Sequence, residues 1–248
     1  MDVSFQLYSS REVPSQAAFL TRLAELGYTQ VEGYGGVYGD PGAFRAAMDA
    51  AGIQMPSGHM GVAELEADFE GCIARARTLG MTQIFAPYLD ASERPDDGIG
   101  YAEFARRLGA LNARARDAGL GFGWHNHDFE LVPLSDGSIP LDVILSEAPD
   151  IAWEADLAWV IRGGADASAW VDGYGDRMAA VHVKDIAPEG ENVDEDGWSD
   201  VGDGTVDWAG LVARCRAKAP HAIMVMEHDK PSDADRFASR SIATFKSF

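Results

Sequence analysis

The strongest constraint on this chain is a repeat of pattern rather than of sequence. A short apolar run is followed by a Gly/Pro/Asp loop and an amphipathic stretch, eight times over. The apolar runs cover residues 3–9, 29–33, 53–59, 82–88, 120–125, 151–156, 179–184 and 222–227. Most do not alternate apolar with polar, as expected of parallel strands whose outer face is covered by helices. The amphipathic stretches cover about 15–26, 41–51, 63–79, 101–118, 141–148, 165–171, 207–218 and 233–245. Pro14 precedes the first of these, and Gly52 and Gly80 close the second and third, as helix-end signals do. Eight βα units in 248 residues predict an α/β chain forming one (β/α)₈ barrel domain over 1–248. An open doubly wound sheet is the alternative. It wants a Gly-rich turn after the first strand, and Tyr8-Ser9-Ser10-Arg11 is not one.

The strand ends carry the chemistry. They read Glu32, His59, Tyr88, His125 with His127, Asp156, His182 with Lys184, and Glu227 with His228. In a barrel the C-terminal strand ends form the functional face, so one pocket accounts for all of these endings together. The densest stretch is Gly121-Phe122-Gly123-Trp124-His125-Asn126-His127-Asp128-Phe129-Glu130. It begins like a buried strand and ends in imidazoles and acids, each of which needs a partner if buried. A two-residue period puts His125 and His127 on one side and Asn126 and Asp128 on the other. Asp156 stands between the apolar triplets Ile151-Ala152-Trp153 and Leu157-Ala158-Trp159, a poor place for a solvated acid. Glu227 ends the apolar run Ile223-Met224-Val225-Met226 and needs a positive partner, which a metal ion supplies. Lys184 and Asp185 either pair as a salt bridge or serve in catalysis. Glu32 either pairs with a neighbouring cation or lines the pocket. His221 and His228 are expected at the surface or beside the site. Imidazoles with carboxylates and no nearby thiolate suit a catalytic divalent cation, Mn²⁺ foremost, or Zn²⁺, Co²⁺ or Mg²⁺.

Charge narrows the partners. Forty acidic residues against 20 Lys+Arg give a net charge of -20, which repels nucleic-acid backbones. No apolar run approaches membrane-spanning length, and the first seven residues carry no basic region with an apolar stretch behind it. Cys72 and Cys215, far apart, read as reduced structural thiols. The expected setting is cytoplasmic, with neither nucleic acid nor a membrane as partner. The chain is compatible with a monomer or with a homo-oligomer such as a dimer or tetramer.

Taken together, His59, His125-Asn126-His127-Asp128-Phe129-Glu130, Asp156-Leu157-Ala158-Trp159, His182-Val183-Lys184-Asp185, Val201-Gly202-Asp203-Gly204 and Glu227 resemble the xylose isomerase-like TIM barrel superfamily (AP endonuclease 2-like family). Within it the chain is similar to the sugar phosphate isomerase/epimerase group. The resemblance runs over nearly the whole chain. It implies a metal-dependent isomerase or epimerase acting on a small-molecule carbohydrate, a ketose or keto-sugar, through an enediolate. Relatives of the ketose 3-epimerase kind hold one metal with Glu, Asp, His and Glu from strands five to eight. By position these are His125, Asp156, His182 and Glu227. A histidine stands where the first glutamate is usual, so His125, His127 or Glu130 takes that role. Glu130 resembles a strand-five glutamate that contacts substrate.

In that scheme Glu227 and a strand-five group, His125, His127 or Glu130, move the proton on opposite faces. Lys184 donates to a substrate oxygen. His59, Tyr88, Trp159 and Glu32 bind substrate, and Trp124 is a further candidate for packing against a sugar ring. The strand ends offer only Lys184 to a phosphate, so non-phosphorylated substrates are expected. A dehydratase or lyase on 3-keto-glycosides or polyols is the alternative with the same site. A non-catalytic sugar-binding barrel is the alternative from another class. Endonuclease IV, also of this superfamily, has a histidine where this chain has Trp159, and an Asp-x-His pair that is absent between His182 and Asp207.

Overall fold

The computed structural model describes residues 3–248, so the first two positions of the expected domain lie outside it. Its strands are β1 (Val3–Gln6), β2 (Gln30–Gly33), β3 (Gln54–His59), β4 (Gln83–Ala86), β5 (Gly121–His125), β6 (Ala152–Asp156), β7 (Met178–Val183), β8 (Asp185–Ile186), β9 (Trp198–Ser199) and β10 (Ile223–Met226). All but β8 and β9 close into a barrel in the order β1-β10-β7-β6-β5-β4-β3-β2. Every neighbouring pair in it is parallel. This is the (β/α)₈ architecture the alternating pattern predicts.

The helices are α1 (Gln16–Leu26), α2 (Pro41–Ala51), α3 (Val62–Ala67), α4 (Phe69–Leu79), α5 (Gly98–Asp117), α6 (Pro140–Glu147), α7 (Leu157–Arg162), α8 (Ala167–Tyr174), α9 (Trp208–Lys218) and α10 (Ala234–Phe245). Part of the acidity is structural. Asp40, Asp68, Asp97, Asp156, Asp166, Asp207 and Asp233 each cap a helix N-terminus by accepting a backbone N–H.

Four segments differ from the sequence expectation. The first strand stops at Gln6, whose side chain accepts the Tyr8 N–H and turns the chain into a 3₁₀ segment, Leu7–Ser10. The helix expected over 63–79 breaks at Asp68, which ends α3 and caps α4. A helix starts directly after β6 because Asp156 caps it, so α7 precedes α8. Between the seventh strand and the helix that follows, where no strand is expected, the chain folds back and β8 pairs antiparallel with β9.

Asp185 organises that last segment. Its carboxylate accepts backbone N–H groups from Ile186, Gly202, Gly204 and Val206. It therefore holds the Val-Gly-Asp-Gly turn, and the salt bridge considered between Lys184 and Asp185 does not form: the Lys184 side chain turns inward instead.

The main core lies between barrel and helices, and Trp124 belongs to it. It is fully buried, its ring 5.2 Å from that of Phe104. Trp124 is thus a core residue, not a sugar-stacking one. Inside the barrel, Phe85, Ala180 and Val225 form a separate small apolar cluster. Gly123 makes room for it: a Cβ there stands 2.5 Å from the Ala152 carbonyl oxygen and 2.9 Å from the Phe85 ring. Cys72 and Cys215 are buried free thiols. Among the described residues no helix is long and apolar enough to cross a membrane.

Candidate active site

One pleat further along the strands from Ala180 and Val225 stand His182 and Glu227, and here the barrel interior turns polar. The layer is tied together across the barrel. Glu32 of β2 accepts hydrogen bonds from Gln6 Nε2 (2.9 Å) and Ser57 Oγ (2.5 Å), and lies 2.7 Å from His182 Nε2. His59 Nε2 is 2.6 Å from Glu154 Oε2. His125 Nδ1 is 3.2 Å from the same oxygen, and His182 Nε2 is 3.4 Å from Glu154 Oε1. Burial opposes charge on His59, but Glu154 and Glu32 outweigh it and raise its pKa to about 10. Burial, with His182 close by, holds His125 neutral, well below the ordinary imidazole range.

On the solvent side of this layer lies a second group. His182 turns its other nitrogen, Nδ1, to Glu227 Oε2 at 2.8 Å and to Asp156 Oδ2 at 3.9 Å. The Lys184 ammonium is enclosed by Glu227 (2.8 Å), Asp229 (2.9 Å) and Asp156 (3.2 Å), with the Trp198 and Trp159 rings 4.6 and 5.0 Å away. Burial opposes ionisation of Glu227, but Lys184 and His182 hold it well below the ordinary carboxylate range. Asn126 fixes this end of β6: its Oδ1 accepts from Asp156 N and Trp153 Nε1, and its Nδ2 donates to the Asp156 carbonyl.

A cavity of about 770 Å³ opens above, lined among others by His59, Tyr88, His125, His127, Trp159 and Glu227. Tyr8, Tyr34, Phe129 and Trp198 add aromatic wall, and Glu64, Arg94, Asp128, Arg162, Asp196 and Asp229 add charged groups. The Arg94 guanidinium lies 3.5 Å over the Phe129 ring, and that of Arg162 3.2 Å over Trp198. His127 has a buried Nδ1 without a hydrogen bond, and burial, with Lys184 nearby, lowers its pKa to about 3. Trp159 Nε1 is likewise buried and unpartnered.

The structure thus brings His59, Tyr88, His125, His127, Trp159 and Glu227 to one cavity, with Asp156 and His182 beside it. Three residues expected to touch substrate are placed otherwise. Glu32 is fully buried in the layer beneath and bonded on all sides. Glu130 is fully buried, accepting from Trp124 Nε1 and the His127 N–H; burial raises its pKa to about 8. The three ammonium hydrogens of Lys184 face three carboxylates, leaving none for a substrate oxygen. His221 is exposed, whereas His228 is buried, its N–H donating to Ser9 Oγ.

Sequence reasoning missed Glu154, although it stands two residues before Asp156 on one strand and so on the same face. It also missed Arg94 and Arg162, which reach the cavity from the segments after β4 and β6 and add two guanidiniums where only Lys184 was foreseen.

A divalent cation fits this end of the barrel. The ligand atoms of Asp156, His182 and Glu227 lie within 4.8 Å of one another, and those of His59, His125, Glu154 and His182 form another such set. Asp156 Oδ2 is buried, with the Lys184 ammonium 3.2 Å away and His182 Nδ1 3.9 Å away. One imidazole with two carboxylates is a donor set for Mn²⁺, Zn²⁺ or Co²⁺. The four ligands expected from sequence are therefore divided, with His125 in the deeper set.

No curated protein matches the chain. Among solved structures, a sugar phosphate isomerase/epimerase from Parabacteroides distasonis ATCC 8503 superimposes with a TM-score of 0.83 at 18% identity, over 99% of this chain and 93% of that one. The IOLI protein with a binding zinc atom gives 0.80 at 14% identity, over 100% and 97%. The probable 3-DHS dehydratase AsbF from Bacillus anthracis gives 0.79 at 13% identity, over 99% of both chains. At such identities the likeness is one of fold. The sequence itself is more specific, since residues 20–248 match the family described as xylose isomerase-like TIM barrel. The chain belongs to the xylose isomerase-like TIM barrel family.

Proposed function

We propose that this protein is a metal-dependent isomerase or epimerase acting on a ketose or keto-sugar through an enediolate. One observation carries the reading: Asp156, Glu227 and His182 Nδ1 converge at the base of a cavity that His127 also lines. A bound divalent ion supplies Lewis-acid polarisation of a substrate carbonyl and its neighbouring hydroxyl. Glu227, held ionised, takes the proton from the carbon between those oxygens. His127 is neutral at pH 7 with an unpartnered ring nitrogen; it returns a proton to that carbon as a relay, one ring nitrogen giving up its proton while the other takes one from solvent, so the ring stays neutral. Trp159 Nε1 offers a hydrogen bond to a substrate oxygen, and the aromatic walls pack the apolar face of the sugar. Lys184 and Asn126 act on the protein: the ammonium balances the carboxylates, and the amide fixes the β6 end.

A lyase or dehydratase reading uses the same proton abstraction, followed by loss of a β-leaving group. The cavity is large enough for the glycoside that this reading requires. At about 770 Å³ it lies in the upper part of the ~300–1,000 Å³ range of small-molecule sites, with room beyond one sugar ring.

The test is a keto-sugar panel followed by NMR in D₂O, with metal-stripped and Mn²⁺-loaded protein. Solvent deuterium at the epimerised carbon supports the isomerase, and loss of water or aglycone the lyase. Sugar binding that survives Glu227→Gln, with no exchange in any sample, leaves a binding barrel and ends both readings.

A further inference from the structure

We infer that the barrel holds a second divalent cation beneath the first, bound by His59, His125 and Glu154, with His182 presenting one ring nitrogen to each ion. The inference rests on the metal-dependent reading only for the outer ion.

The inner set is built like a ligand set. The ligand atoms of His59, His125, Glu154 and His182 lie within 4.8 Å of one another. Tetrahedral zinc bonds of about 2.0–2.2 Å put ligand atoms about 3.4 Å apart. Glu154 Oε2 stands 3.2 Å from His125 Nδ1, already near that spacing, and its 2.6 Å contact with His59 must open, while His182 Nε2 lies 3.4 Å from the other carboxylate oxygen, Oε1. Two atoms aimed into the set, His125 Nδ1 and Glu154 Oε1, are buried and make no hydrogen bond.

The charges point the same way. Glu32 and Glu154 are fully buried, and among the described residues neither forms an ion pair with a lysine or arginine. Without a cation the balancing charge falls on imidazoles. The His59 and His182 rings are stacked at 5.6 Å, with His125 5.1 and 4.6 Å from them, so two imidazoliums there repel at short range. A dication with neutral His59 and His125 balances both carboxylates without that repulsion. His59 and His125 line the cavity, which gives the ion a path from solvent.

His182 makes the two sets one centre. Its Nδ1 faces Glu227 and its Nε2 faces Glu154 and Glu32. Occupying both sides removes both ring protons, which pass to solvent.

Titration calorimetry and elemental analysis with Zn²⁺ alone test this on the full chain. The unmutated protein is expected to bind two equivalents. Asp156→Asn with Glu227→Gln is expected to retain one, and His59→Asn with Glu154→Gln to retain one. A single equivalent lost only in the Asp156/Glu227 variant overturns the inner site and leaves the outer reading standing. A single equivalent lost only in the His59/Glu154 variant supports the inner site and overturns the outer reading. No binding overturns both. If a variant fails to fold, anomalous diffraction at the zinc edge from the unmutated protein decides: a peak among His59, His125 and Glu154 supports the inference, and its absence ends it.

Discussion

Lys184 Nζ lies 2.8 Å from Glu227 Oε2, which makes the ammonium a built-in counter-charge for the group proposed to bind the outer metal. Lys184→Met leaves Asp156, Glu227 and Asp229 facing one another without it. In metal-stripped protein this is expected to cost about 3–5 kcal/mol of stability, as for other broken buried ion pairs. Added Mn²⁺ supplies the missing charge, so the variant gains more in Tm from the metal than the unmutated protein does. Equal gains in thermal melts of the two refute this.

Asp156 and Glu227 are assigned different burdens. Asp156→Asn is expected to weaken metal binding, read by elemental analysis. Glu227→Gln is expected in addition to remove the proton acceptor, lowering kcat about 10²–10⁴-fold even at saturating metal. His127→Asn lowers kcat in the same range and leaves metal content unchanged. Solvent-deuterium exchange rates separate the three variants.

Glu130 gives stability a pH dependence of definite sign. Its pKa in the fold is about 8, against an ordinary 4.5, because it is buried. The folded state therefore keeps a proton that the unfolded chain releases. That contribution is fully present below about 4.5 and is lost as pH rises through about 8, with a slope of up to about 1.4 kcal/mol per pH unit. Glu130→Gln is expected to flatten the decline seen in urea unfolding between about pH 5 and about pH 8.

Gly123 and Gly39 form a matched pair. Alanine at 123 drives a methyl into the Ala152 carbonyl and the Phe85 ring, whereas nothing lies within 4 Å of one at 39. Gly123→Ala is expected to destabilise by about 1–3 kcal/mol and Gly39→Ala by much less. Denaturant midpoints compare them directly.

Asp185→Ala removes an acceptor from four backbone N–H groups. The expected loss is about 1.5–3 kcal/mol or more, as for hydrogen bonds to charged groups. New protease cleavage between Ile186 and Val206 is the local signature, and an unchanged digestion pattern refutes it.

The barrel was legible because its strands are continuous apolar runs and its helices carry caps that local chemistry announces. The polar strand ends were legible for the same reason. What they do there was not. Glu32 and Glu130 resemble substrate contacts in sequence, yet side-chain packing turns both into buried acceptors. Glu154 was hidden inside an apolar-looking strand, though its two-residue offset from Asp156 put it on the inner face. Arg94 and Arg162 reach the cavity only through the paths of their loops, which no periodicity encodes. The division of His125 from Asp156 and Glu227 depends on ring orientation, a tertiary property.

Asp185 stands just past the strand that carries His182, next to Lys184, and both ends of the excursion from Ile186 to Val206 hang from its carboxylate. Between those ends the excursion is pinned to the barrel by Arg236, which pairs with Glu195 and Asp200. The segment supplies Asp196 and Trp198 to the cavity wall but no ligand to the metal groups. Changes between those anchors alter the mouth of the cavity while the barrel end stays in register, so under the proposed function the range of sugars admitted can shift here with the metal groups unchanged.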